Sequence, residues 1–171
     1  FTTENYVYNG TPDYEYEQVR NGSKASVTGF EFGLQTRLLD NFTLMANYTY
    51  TDSSTEGVED RDDVPLVGAI ENMYNASLAY ENKKFFVRAS MNYAGEALDE
   101  VGGDPFEDRY YDEQLFVDLN ATYRFSDKLS IFAEAKNLTN QPLRYYQGVK
   151  ERTMQLEYYS YNWNVGLKYD F

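Results

Sequence analysis

The chain has no cysteine and no histidine. Without thiols no disulfide holds the fold and no thiolate does chemistry. Without imidazole, Ser-His and Cys-His nucleophilic pairs and histidine-ligated zinc are excluded together. Cations are scarce: 15 Lys and Arg against 28 Asp and Glu leave a formal net charge of −13. That balance argues against a nucleic-acid partner, because nothing neutralises phosphates, and disfavours attraction to an anionic leaflet. No run of eighteen apolar residues occurs and the mean hydropathy is −0.67, so no transmembrane helix is encoded. The sequence opens on Phe1 with no charged segment followed by an apolar one, so it shows no secretion signal and reads as a mature or truncated piece. No tightly built carboxylate pair, metal motif or cofactor motif stands out, and the chain is read as a non-enzyme without a cofactor.

Aromatic residues are abundant instead. They make up 18% of the 171 residues, and 18 are tyrosine, whose apolar body and polar tip suit a boundary between lipid and water. They follow a period of two. From Tyr159 to Phe171 one row holds Tyr159, Tyr161, Trp163, Val165, Leu167, Tyr169 and Phe171, while the other holds Ser160, Asn162, Asn164, Gly166, Lys168 and Asp170. Side chains alternate across a strand, so this is an extended segment with one apolar face ending on an aromatic residue, as in the closing strand of a membrane barrel.

The same division recurs upstream. Phe30, Phe32, Leu34 and Leu38 oppose Glu31, Gly33, Gln35 and Arg37; Phe42, Leu44, Ala46, Tyr48 and Tyr50 oppose Thr43, Met45, Asn47 and Thr49. Tyr74–Tyr80, Phe85–Tyr93, Leu115–Phe125 and Leu129–Ala135 repeat it, with Phe86 the exception among the polar rows. No Asp, Glu, Lys or Arg enters an apolar row. A Lys or Arg facing lipid at mid-membrane costs roughly 2–4 kcal/mol, so a clean row is what a bilayer selects.

The connections alternate in length. Leu39-Asp40-Asn41, Glu81-Asn82-Lys83-Lys84 and Ser126-Asp127-Lys128 read as tight polar turns, whereas 52–69, 94–112 and 138–158 are long, rich in Gly, Asp, Glu and Pro, and read as loops. The segment around Tyr6 to Tyr8 adds one more ascending strand, followed by a loop through Asn9 to Lys24. The expectation is an all-β, antiparallel transmembrane barrel segment of about eight strands, each near the roughly 9–11 residues that cross a bilayer at a tilt.

Three segments, in order, resemble those of TonB-dependent outer-membrane receptors: Val27-Thr28-Gly29-Phe30-Glu31, Asn137-Leu138-Thr139-Asn140 with Tyr145-Tyr146-Gln147-Gly148, and Asn164-Val165-Gly166-Leu167-Lys168-Tyr169-Asp170-Phe171. The resemblance implies that residues 1–171 are the carboxyl-terminal part of a 22-stranded barrel, without the amino-terminal plug and the earlier strands. It implies a Gram-negative outer membrane, energised uptake of a scarce nutrient, and work with the TonB complex through the missing amino-terminal part. Siderophore, cobalamin, oligosaccharide and peptide all remain open as substrate. Asn164, Gly166, Tyr169 and Phe171 resemble the signal read by the barrel assembly machinery, for which an unpaired last strand offers free N–H and C=O groups. The polar rows, with Glu31, Arg37, Arg88, Asp118, Arg124, Glu134, Lys136, Lys168 and Asp170, face plug or water, as wall residues rather than substrate ligands.

Other readings stand beside this one. A complete eight-stranded outer-membrane barrel with a structural or adhesive role has the right size, as does a soluble lipocalin-like barrel with an inward apolar row; a barrel fragment held as a client of the assembly machinery is a further possibility. The acidic run Glu59-Asp60-Arg61-Asp62-Asp63 and the carboxylates Asp99, Glu100, Asp104, Glu107 and Asp108 read as solvated loop, ahead of divalent-ion or cationic-ligand binding, because no twelve-residue calcium loop is present. Asn-X-Ser/Thr occurs at Asn21, Asn41, Asn47, Asn75, Asn120 and Asn137. Four of these, Asn47, Asn75, Asn120 and Asn137, fall inside expected strands, where asparagine is simply a polar residue beside threonine.

Overall fold

The computed structural model describes residues 2–17 and 24–171, excluding the side chains of 2–5 and 14–17. Every described element is a strand, and all pairing is antiparallel. The main sheet carries β3 (Lys24–Leu39), β4 (Phe42–Val58), β6 (Asn72–Glu81), β7 (Phe85–Ala94), β10 (Gln114–Arg124), β11 (Leu129–Lys136) and β14 (Asn162–Tyr169), in the spatial order β14-β11-β10-β7-β6-β4-β3, with β5 (Arg61–Val64) paired to β4.

Register joins the apolar rows into one face. Phe30 lies opposite Tyr50, Tyr48 opposite Tyr74, Tyr74 opposite Tyr93, Leu119 between Ala89 and Ala135, and Ala133 opposite Val165. A shift of one residue in any strand would move its apolar row to the other face, so the agreement across seven strands fixes the register throughout. The tight turns sit at one end. Asn82 Oδ1 accepts from the N–H groups of Lys84 (2.8 Å) and Phe85 (2.7 Å), and Ser126 Oγ accepts from those of Lys128 and Leu129 (3.3 and 3.2 Å); these side-chain acceptors satisfy backbone donors that the turns leave unpaired.

The opposite end differs from the loops expected there. β4 continues to Val58, and the long connections contain β5, β8 (Ala97–Glu100), β9 (Arg109–Tyr111), β12 (Leu143–Gln147) and β13 (Val149–Glu157). The last four form a second sheet in the order β13-β12-β9-β8. Likewise β1 (Thr2–Tyr8) pairs with β2 (Thr11–Glu17) through a turn at Asn9 and Gly10, both at positive φ, so the expected loop from Asn9 to Lys24 contains a strand and Tyr6–Tyr8 lies in a separate hairpin. Positions 18–23 of that loop, with Asn21, lie outside the described residues. The last strand is shorter than its alternation suggests, because Ser160 adopts φ 64 and breaks the extended backbone before Asn162.

Little of the molecule is buried. Among the described residues the buried apolar side chains are Val64, Ala97, Leu98, Ala135 and Tyr146, most of them at the long-connection end. The main sheet is a single layer, and among the described residues no second layer covers its apolar face: Trp163, Val165 and Leu167 are 63, 65 and 70% exposed. In water such a sheet would leave its whole apolar face unsatisfied.

Candidate functional site

Aromatic contacts fall in two bands across the apolar face. Near the tight turns, Phe42 meets Tyr80 at 5.0 Å between ring centroids, Phe85 meets Tyr123 at 4.8 Å and Tyr169 meets Phe171 at 5.3 Å. Toward the other end, Phe30 meets Tyr48 at 5.7 Å, Tyr74 stacks on Tyr93 at 4.4 Å and Tyr161 meets Trp163 edge-on at 6.2 Å. Leu44, Leu78, Ala89 and Leu119 lie side by side between the bands. From Phe85 to Tyr93 the strand rises about 27 Å, which at a tilt near 40° is a thickness of roughly 20 Å, close to the apolar band of an outer-membrane barrel.

The opposite face is polar. Asn47 accepts from Asn75 Nδ2 at 2.8 Å, and Asn75 stands opposite Asn92, giving an amide row across β4, β6 and β7. Glu31, Gln35, Met45, Ser77, Arg88 and Ser90 line the surrounding groove, of about 650 Å³. Glu31, Arg37, Arg88, Asp118, Arg124, Glu134, Lys136 and Lys168 all occupy this face by register; Asp170 lies just past β14, paired to Lys168 at 3.2 Å. Phe86 is not alone as an apolar exception. Phe116 and Phe132 share its face, and Phe86, Thr122, Phe132 and Gly166 align across four strands.

The four residues singled out in the last strand divide between the faces. Asn164 stands opposite Glu134 and Gly166 opposite Phe132 on the polar side, whereas Tyr169 stands opposite Leu129 on the apolar side. Phe171 lies beyond the strand, fully exposed. β14 pairs with β11 over eight residue pairs, and its other edge has no strand partner among the described residues.

Asn137 is not in a strand. At φ 57 it follows β11, and its Oδ1 accepts from the Gln141 N–H at 2.8 Å; Asn140 N donates to Asn137 O at 2.9 Å, and Thr139 Oγ1 donates to Leu115 O at 2.6 Å. The Asn-Leu-Thr-Asn segment is therefore a turn that ties the end of β11 to the start of β10.

The long-connection end is laced with charge. Arg61 grips Asp108 with two bonds, Nη1 to Oδ1 at 2.7 Å and Nη2 to Oδ2 at 2.9 Å, and Asp108 is 1% exposed. The bond from Arg61, helped by the Gly102 N–H, holds the Asp108 carboxyl below the usual aspartate range against the opposing effect of burial. Arg144 reaches Asp112 at 3.1 Å, and Lys150 lies 3.3 Å from both Glu96 and Asp112. Tyr146 donates to Glu96 at 2.8 Å, and burial with that neighbour pushes its phenol up from 10. Among the described residues no three acidic side chains are arranged to hold a metal ion. Neither the second sheet nor the ion pairs show as patterns in the sequence; the doublets Tyr110-Tyr111 and Tyr145-Tyr146, which pair with each other in the structure, are the one signal it offers.

Comparison with known families decides the assignment. The family model of the TonB-dependent receptor-like β-barrel matches residues 1–138. The chain belongs to this family. Receptors of this kind reside in the outer membrane and are not enzymes. The receptor chain is 27% identical over 139 residues to the iron-regulated outer membrane virulence protein of Vibrio cholerae, an alignment covering 81% of this chain and 21% of that protein. In structure it is similar to the siderophore receptor PiuA of Acinetobacter baumannii, with a TM-score of 0.65 and 16% identity over 98% of this chain and 24% of that one. It is also similar to the ferric-catecholate import receptor Fiu of E. coli, with a TM-score of 0.63 and 17% identity over 98% and 24%. The receptor chain thus spans about a fifth to a quarter of the length of these relatives.

Proposed function

We propose that residues 1–171 form the carboxyl-terminal part of the receptor's barrel wall, with the plug and the earlier strands lying outside them, and that the whole protein takes up a scarce nutrient across the outer membrane by TonB-dependent transport. The observation that carries this reading is the single-layer sheet. Its apolar face needs lipid, its polar face needs a filled lumen, and neither requirement is met within these residues. An iron chelate is the favoured cargo, since the relatives include an iron-regulated protein, a siderophore receptor and a ferric-catecholate import receptor. TonB would act through the part of the protein outside these residues.

The last strand is assigned a second task, as the signal for the barrel assembly machinery. Its unpaired edge, its regular register on β11 and the aromatic residues Tyr169 and Phe171 support this reading. The uptake reading is tested by expressing the full-length protein in an iron-starved host stripped of its own receptors. Growth on a ferric siderophore that vanishes when TonB is deleted is expected; growth independent of TonB, or on no iron source, would overturn it.

A further inference from the structure

β14 is the strand of the main sheet with the least to fix its register. β3, β6 and β10 reach β4, β7 and β11 through tight turns, whereas β14 follows β11 only after residues 138–158, and among the described residues it has one strand neighbour. Alternation alone does not hold it. A slip of one residue would turn its apolar row over, but a slip of two leaves that row in lipid, with Ala133 opposite Trp163 or Leu167 instead of Val165. The Asp170 N–H donates to Lys128 O at 2.9 Å, so the even-numbered residues of β14 bond to β11, while Trp163, Val165, Leu167 and Tyr169 turn their N–H and C=O groups to the open edge. A two-residue slip would carry that edge about 7 Å along the wall.

Asn137 stands where this slip is stopped. Its N–H donates to Asp118 Oδ1 on β10 at 2.9 Å, its Oδ1 accepts from the Gln141 N–H at 2.8 Å, and its Nδ2 donates to Ser160 O, just ahead of β14, at 3.0 Å. The turn it heads is itself held against β10. Leu138 N donates to Val117 O at 2.8 Å, and the Gln141 amide takes the place of a strand residue, its Oε1 accepting from the Leu115 N–H at 3.1 Å and its Nε2 donating to Glu113 O at 3.0 Å. The donor aimed at Ser160 is therefore anchored to β10 and β11 and does not travel with β14. We propose that Asn137 is a positioning residue for the last strand, whose amide holds the Ser160 carbonyl and so sets β14 in the one register in which Lys136 faces Asn162 and Gly166 faces Phe132. Phe132 opposes the same slip lower down, because Asn164 or Lys168 would bring a side chain onto its ring. That single register is what offers the open edge for a closing contact, a consequence that rests on the assembly reading above.

Engineered cysteine pairs read the register, since these residues contain no other thiol. The full-length receptor carrying Phe132→Ala, which removes the second obstacle, is refolded into lipid vesicles and oxidised. Ala133→Cys with Val165→Cys reports the native register, and Ala133→Cys with Trp163→Cys or Leu167→Cys reports the slipped ones. Asn137→Asp keeps the acceptor and loses the donor to Ser160, while Asn137→Gly keeps the positive φ and loses both. Each is expected to raise the slipped disulfide about tenfold, the weight of one hydrogen bond. A lower yield of folded protein with the native disulfide alone, in both variants, would make Asn137 an ordinary turn residue and overturn the proposal. In cells the same variants should insert less receptor; slipped disulfides with full insertion would leave the register role standing and overturn the assembly reading instead.

Discussion

The ring of Phe132 lies over Gly166. The two stand opposite each other on β11 and β14, and a Cβ at position 166 would sit 2.6 Å from Cε1 of that ring. Glycine is needed there for space rather than for backbone freedom, and the aromatic ring covers the surface that a side chain would otherwise cover. One of the four positions read from the sequence as an assembly signal thus has a local packing role, with a partner that the strand's own sequence cannot name.

Gly166→Ala should therefore lower barrel stability by about 1–3 kcal/mol, at the lower end because the ring can swing aside. Phe132→Ala in the same chain should recover part of the loss. A double-mutant cycle by urea unfolding of the full-length protein in vesicles would show the coupling; additive effects would mean that the ring does not exclude the side chain.

Ala89 and Ser90 are neighbours on β7 but face opposite sides, with Ala89 beside Leu78 and Leu119 and Ser90 beside Ser77 and Asp118. Ala89→Arg is expected to cost roughly 2–4 kcal/mol and Ser90→Arg much less. Comparable losses in the same unfolding assay would count against the assignment of faces.

Deleting Phe171 should reduce the amount of receptor inserted into the outer membrane while leaving the substrate affinity of the inserted fraction unchanged. Quantifying surface-exposed protein beside ligand titration on cells separates the two. Full insertion of the truncated chain would remove the signal role from this residue.

Asp108 gives a pH dependence of known sign. Its folded pKa lies below the ordinary value of 3.8, so its contribution is present above that value and is lost only as pH falls through the lower, folded one. The distance between spin labels at Asp60 and Pro105 should stay constant from neutral pH down to about 4 and change below it. A change near pH 6 would assign the pH dependence of this contact to another group.

The main sheet was legible because its two faces meet different surroundings, so alternation survives in every strand from Phe30 to Tyr169. The second sheet was not. Its strands are short, its register shifts at Leu98/Glu100 and at Tyr145/Tyr146/Gln147, and Gly and Asp dominate the residues between, which together read as loop. Asn137 reads as a strand residue because it directly follows the period of Leu129–Ala135, yet its positive φ makes it a turn. Arg61 and Asp108 each sit in an acidic run whose composition reads as solvated; a contact between residues 47 positions apart leaves no mark in either run.

Scanning β7 with nitroxide labels in the full-length receptor, reconstituted in lipid, tests the central claim that one face of this wall meets the bilayer and the other a polar lumen. Labels at 85, 87, 89, 91 and 93 should be relaxed by oxygen dissolved in lipid, and labels at 88, 90 and 92 by a water-soluble nickel chelate or by neither reagent. Uniform accessibility along the strand, or the reverse alternation with the even-numbered positions in lipid, would contradict the account.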